Sequence, residues 1–167
     1  LISVVLFLLI PHFFDLKKKD QIIKEYLFKN YDLKLTKYES IRYNSFPTPN
    51  LEILNASTIN SNSIKFDTKN LKIYPRLISI YNFENFKVKK IILNKNKISL
   101  KVNELTFLSK YIYKLKNKIS FYNLELKIFR KNESLLNLDR ISFSNYGHNK
   151  NIIKGQVFNK QFKISIN

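Results

Sequence analysis

The residues able to do chemistry are few: two histidines, twelve acids and no cysteine in 167 residues. His12 lies in an apolar stretch beside Pro11, and its nearest acid, Asp15, reads as a helix cap. His148 lies in a Gly/Asn turn with no acid close in sequence. General acid–base catalysis needs a second titratable group within hydrogen-bond reach, and neither histidine has one nearby in the chain. There is no glycine-rich phosphate loop, no nucleophile elbow and no metal-ligand spacing. Without cysteine, disulfides and zinc–thiolate sites drop out together. The expectation is a protein that is not an enzyme and that holds no cofactor and no metal. Asn55-Ala56-Ser57 and Asn132-Glu133-Ser134 match the glycosylation sequon, a weak signal in so Asn-rich a chain.

Charge is the other chemical feature. Thirty Lys+Arg against twelve Asp+Glu give +18, enough to attract nucleic acid or anionic lipid headgroups. The lysines are spread along the chain, as AT-rich coding would also produce. In Lys110-Tyr111-Ile112-Tyr113-Lys114, rings alternate with cations in the manner of a stacking platform for single-stranded nucleic acid. The plainer reading puts the rings in a core and the lysines in water. No nucleic-acid motif accompanies the run, so nucleic acid is not the expected partner.

Stepping outward, the elements that would position any site are strands. Ile, Phe, Tyr and Val abound, whereas Ala is scarce, which favours sheet over helix. With 44% hydrophobic residues the chain can build a core. Residues 1–14 are predicted as an apolar anchor that includes Val4, Val5, Leu6, Phe7, Leu8, Leu9 and Ile10. As a helix they would span about 21 Å, short of a bilayer. The absence of Met implies residues upstream that complete a transmembrane helix, and the ending KISIN reads as a strand cut in mid-course. Lys17, Lys18 and Lys19 follow; taken alone, the positive-inside rule would hold the rest of the chain in the cytoplasm. Residues 15–32 are predicted as an amphipathic helix, with Ile23, Leu27 and Tyr31 at i,i+4 spacing.

Residues 33–167 are predicted as a β-rich domain. A first strand starts at Leu33 and runs on towards Tyr43, and Phe46-Pro47-Thr48-Pro49 breaks the ladder. A second strand covers residues 50–59, with Leu51, Ile53, Ser57 and Ile59 on one parity. The third changes parity between Ile64/Phe66 and Leu71/Ile73, which calls for a bulge or a bend. A compact insert follows Pro75. Strands are then expected at 86–93 and 97–102 around a turn at Asn94-Lys95-Asn96, a helix at 104–116, and further short strands to the end, with Gly147 and Gly155 at or near turns. The expected fold is mainly β with α: a membrane helix and an amphipathic helix, then a twisted antiparallel sheet. If the strands curl into an open trough, Leu51, Ile53, Ile59, Phe66, Leu71, Ile73, Ile91 and Leu93 are its candidate lining. The same eight residues would otherwise line a closed core.

The order of elements resembles the N-terminal region of the AsmA family of bacterial envelope proteins. The likeness runs through LFLLIPHFFD, KKKDQIIKEYLFKNYDLKL, SFPTPNLEILNASTI, KNLKIYPRLISIYNF and FKVKKIILNKNKISL, over residues 1–100. It departs from the family where glycines often flank the first strand; Tyr31 and Tyr38 stand here. The resemblance implies a single-pass inner-membrane protein with its bulk in the periplasm. It implies membrane phospholipid, and other envelope proteins, as partners. The function implied is phospholipid transport between membranes or outer-membrane biogenesis, with acyl chains shielded in a β-groove. The alternatives are a basic, non-enzymatic binding module for nucleic acid or anionic partners, and a membrane-tethered structural scaffold.

Overall fold

β-Branched and aromatic residues at alternate positions pack well on one face of a pleated sheet, and most of this chain is written that way. The computed structural model describes residues 2–15, 19–131, 133–146 and 150–166. Nine strands among them form one open sheet: β1 (Lys34–Lys37), β2 (Ser40–Asn44), β3 (Asn50–Ile59), β4 (Lys65–Pro75), β5 (Val88–Lys101), β6 (Ile119–Arg130), β7 (Glu133–Ser144), β8 (Asn151–Val157) and β9 (Lys160–Ile166). β1 and β2 lie in succession along one edge of β3, and β4 to β9 follow in order. Three helices, α1 (Ile2–Leu9), α2 (Asp20–Tyr31) and α3 (Leu105–Lys114), complete the described elements with short 3₁₀ turns.

The expected sheet is antiparallel, and every pair is antiparallel except one. β5 and β6 pair in parallel because α3 carries the chain back from the end of β5 to the starting edge. The return is tied by Asn145, whose Nδ2 donates to the carbonyls of Leu115 (3.0 Å) and Asn117 (2.8 Å) while its Oδ1 accepts from the Ile119 amide (2.9 Å).

The turn expected at Asn94-Lys95-Asn96 is not a turn. β5 runs straight through it as one strand, with Lys95 in the left-handed region at φ 55°. The Asn96 side chain fills the kink, its Nδ2 donating to the carbonyls of Leu93 (3.0 Å) and Tyr122 (3.1 Å). A left-handed residue flanked by Asn serves a hairpin turn or a kink within a strand; here neighbouring strands on both sides keep the strand continuous, and the register does not shift. The same device joins other expected short strands, at Asn123 in β6 (φ 51°) and Arg140 in β7 (φ 51°). Asn55 in β3 is alike (φ 47°).

These kinks fall in a row. Ladder partners on either side place Asn55 opposite Lys69, Lys69 opposite Lys95, and Lys95 opposite Asn123. The row then steps to Arg140 in β7 and to Gly155 in β8. Pleat parity reverses across it on β3 to β7. In β4 the buried set passes from Phe66 and Thr68 to Leu71 and Ile73, through a bend with no register shift. In β3 it passes from Leu51 and Ile53 to Ala56 and Thr58, which turns Ser57 and Ile59 to the opposite face. Gly155 lies within β8, not at a turn, and a Cβ there would come within 2.9 Å of the Phe162 ring and 3.2 Å of Ile141.

α2 is amphipathic as expected and buries Ile23, Leu27 and Tyr31. It starts at Asp20, so Asp15 does not cap it; Lys17 and Lys18 lie outside the described residues, as do Gly147, His148 and Asn132. α3 matches the predicted 104–116 helix with its first turn tightened to 3₁₀ at Val102–Glu104. One core cluster joins the inner side chains of both helices to the inner face of β1 to β7.

The membrane anchor is corrected. Among the described residues no helix is long and apolar enough to cross a membrane. α1 has eight residues, about 12 Å of helix against about 30 Å of hydrocarbon. Pro11, which has no amide donor, sits in the 3₁₀ turn Ile10–Phe13 that follows. The end of α1 is docked on protein: the Tyr43 hydroxyl donates to the Leu8 carbonyl at 3.0 Å, the Tyr81 hydroxyl donates to the Phe7 carbonyl, and the Phe7 and Tyr81 rings stack at 4.4 Å. A single-pass inner-membrane location with the bulk in the periplasm is therefore not supported.

The kinks make a stability prediction. At Lys95 a glycine meets no Cβ penalty, whereas a β-branched residue is strained in the left-handed region. Lys95→Gly should leave the urea midpoint unchanged or raise it, and Lys95→Val should cost about 1–2 kcal/mol. Equal effects of the two would show that the kink is not what the strand needs there.

Candidate functional site

The eight residues expected to line a groove do not share one environment. Leu51, Ile53, Phe66, Leu71, Ile73, Ile91 and Leu93 are at most 1% exposed and belong to the core under the helices. Ile59 is half-buried and pairs with exposed Lys65 on the opposite face, because the left-handed kink at Asn55 reverses the parity between Ile53 and Ile59. Of the anchor residues, Val4 and Val5 lie in α1; Leu6, Phe7 and Ile10 are exposed, and Leu8 and Leu9 are half-buried. The side chain of His12 is outside what the structure describes.

What shuts this half of the sheet is a contact between the two covering helices. The Tyr111 hydroxyl on α3 donates to the Tyr31 carbonyl at the end of α2, 3.0 Å away. Its ring lies 5.6 Å from Phe66, which in turn lies 5.9 Å from Phe121. Tyr111 is therefore a core residue, and only Tyr113 of the two tyrosines in the 110–114 run is exposed. On a helix, residues two apart face different ways, so the alternation that suggested a two-ring stacking platform does not form one.

Beneath α3 the apolar space is a void of about 30 Å³ bounded by Phe66, Ile98, Leu108, Tyr111, Ile112 and Phe121, among others, too small for any ligand. On the other side of Ile112 the situation changes. A cleft of about 520 Å³ opens between α3 and β8, formed by Ser109, Lys110, Ile112, Tyr113 and Lys114 on one wall and Asn151 and Ile153 on the other. That volume falls in the roughly 300–1,000 Å³ range of small-molecule sites. Its floor is apolar, and the two lysines on its helix wall are exposed. The buried Asn151 Oδ1 has no hydrogen-bond partner among the described residues, a condition that usually signals a missing donor.

The inner face continues past this cleft with less cover. Leu136, Leu138, Ile153 and Phe162 are half-buried and Ile164 is exposed, so the apolar face runs out from under the helices onto β7 to β9. A second cavity, of about 550 Å³ beside α2, is lined by Lys29, Arg76 and Lys87 together with Glu25 and Glu84. Its mixed charges select no one ligand class. Among the described residues no cluster of His, Cys, Asp or Glu could hold a metal ion.

The sequence reading named no residue of this cleft as a lipid contact. Its signal was present in Ile112 and Ile153, yet Ile153 sits in a short strand with weak alternation. No protein-family model matches the chain, and no curated protein matches it either.

The helix contact has a pH signature. Burial, with the nearby Asp32 and Tyr31 charges, holds the Tyr111 hydroxyl well above its usual range, and burial raises Tyr31 likewise. A raised tyrosine pKa stabilises fully below the unfolded value of about 10 and is lost as pH climbs above it. The melting temperature should therefore fall steeply above about pH 10. Tyr111→Phe should cost about 0.5–1.5 kcal/mol near neutrality and make that alkaline fall shallower. A pH profile by circular dichroism reads both; an unchanged alkaline slope would place the titration elsewhere.

Proposed function

We propose that this chain is a lipid-handling β-module that shields an acyl chain on the apolar face of its sheet and performs no covalent chemistry. The observation that carries the reading is the α3–β8 cleft, apolar at its floor and edged by Lys110 and Lys114, opening onto the part of the sheet that no helix among the described residues covers. An acyl chain gains by leaving water, while an anionic headgroup gains from exposed cations. The Asn151 oxygen can accept from a hydroxyl of the same ligand.

The resemblance to the AsmA family supports phospholipid as the substrate class and transport between membranes, or outer-membrane biogenesis, as the process, with membrane lipids and other envelope proteins as partners. The half of the inner face beneath α2 is sealed, which favours the side of α3 that faces β8 as the place for the acyl chain in this reading. In this reading the helices act as a stop at one end of an apolar track.

The test is organic extraction of the purified full chain followed by mass spectrometry. Phospholipid should be recovered from the native chain. Ile153→Asp should lower its recovery by about tenfold or more, since it sets a charge on the apolar floor, while the far-ultraviolet circular dichroism stays native. Lys110→Glu with Lys114→Glu should reduce recovery of anionic lipid more than of zwitterionic lipid. Recovery unchanged by Ile153→Asp would remove the cleft from the reading.

A further inference from the structure

Large apolar side chains gather at one end of strands β2 to β4, with β5 to β7 between them and the β8 wall of the cleft. Antiparallel pairing places the end of β2, the start of β3 and the end of β4 at the same edge, since Asn44 pairs with Asn50 and Leu51 with Ile73. Phe46 is exposed in the loop after β2, and Ile78 is 79% exposed in the 3₁₀ turn Leu77–Ile80 after β4. α1 and its following turn are held at this edge through Tyr43 and Tyr81. They add exposed Phe7 and Ile10 and an 89% exposed Phe13. A single exposed aromatic is unremarkable on a soluble surface, but several large ones at one tip mark an interaction site.

The charges beside the tip are mixed, and Arg76, Lys87, Lys89 and Lys19 are the cations among them. Arg76 and Lys87 are joined by their backbones (2.9 Å) at this edge and are both exposed. Lys89 follows in β5, and Lys19 lies 5.7 Å from the centre of the Phe83 ring. The acids nearby are Asp15, Glu25, Glu84 and Asp20, with Asp20 bridged to Lys24 and Glu25 accepting from Gln21. Protruding aromatic and aliphatic side chains ringed by Lys and Arg reproduce the order of a bilayer interface, acyl region first and anionic phosphate around it.

The geometry points to docking of this tip on an anionic lipid bilayer surface, with Phe13, Phe46 and Ile78 entering the interfacial layer and Arg76, Lys87 and Lys89 meeting phosphates. The strands then stand away from the membrane, and the cleft lies several strands across the sheet. This contact does not depend on the cleft being a lipid site.

Co-sedimentation with vesicles tests it, using the full chain. Vesicles of phosphatidylcholine containing about one-third phosphatidylglycerol should bind the protein, with partitioning that falls as salt rises. The double variant Phe46→Asp/Ile78→Asp should weaken partitioning by about tenfold or more. Both positions are exposed, so its circular dichroism should remain native. Ile153→Asp should empty the cleft and leave vesicle binding intact, so the two readings fail separately. The inference is overturned if anionic vesicles do not bind, or if the double variant binds them as the native chain does. It is equally overturned if the tip proves to be a self-association surface, shown by a concentration-dependent dimer that the double variant abolishes without any vesicle binding.

Discussion

A sheet with one apolar face survives a reversal of its pleat only if neighbouring strands reverse at the same row, because a slip in one strand alone would turn its buried residues into water. In this protein the row is Asn55, Lys69, Lys95 and Asn123, continued with an offset by Arg140 and Gly155. Four of these residues hold positive φ with side chains attached, a local strain that persists only where the surroundings over-determine it. The burial of Leu71 and Ile73 on one side, and of Phe66 and Ile98 on the other, supplies that determination. Everything covering the inner face, α2 on one side of the row and α3 over it, depends on the two halves presenting the same face.

The helices divide that face by function. Under α2 the sheet is a dry core, and the Tyr111–Tyr31 hydrogen bond closes the seam between the helices. Beyond α3 the inner face meets no further helix among the described residues, and β7 to β9 carry half-buried apolar side chains beside a cleft with two cations on its wall. Ile73 is fully buried in the core, whereas Ile153 packs against its margin and also lines the cleft. The parallel β5–β6 pair is what makes the division possible, since an antiparallel hairpin there would leave no chain to cross the face.

Much of the strand content could be read from alternation alone. Residues 50–59 form a strand over the span expected, and the parity change in β4 is a bend without a register shift. A like kink at Asn55 turns Ser57 and Ile59 to the face opposite Ile53, which the plain alternation of these residues does not show. At Lys95 the local chemistry of a turn and of a kinked continuous strand is identical. The apolar leader showed its composition in sequence, but not that its end packs on Tyr43 and Tyr81 instead of continuing as a spanning helix.

By itself, then, the sequence determined the elements whose cause is local: strands from period-two alternation, α2 and α3 from i,i+4 spacing, the break at Pro47 and Pro49. It also set the charge that surrounds them. Tertiary structure alone decided which of two equivalent local choices each left-handed residue would take. It decided too which half of the apolar face would be sealed and which left open. The physical reason is that a strand kink, a parallel crossover and a buried tyrosine hydroxyl each draw their free energy from partners tens of residues away, and no window on the chain contains both sides of such a contact.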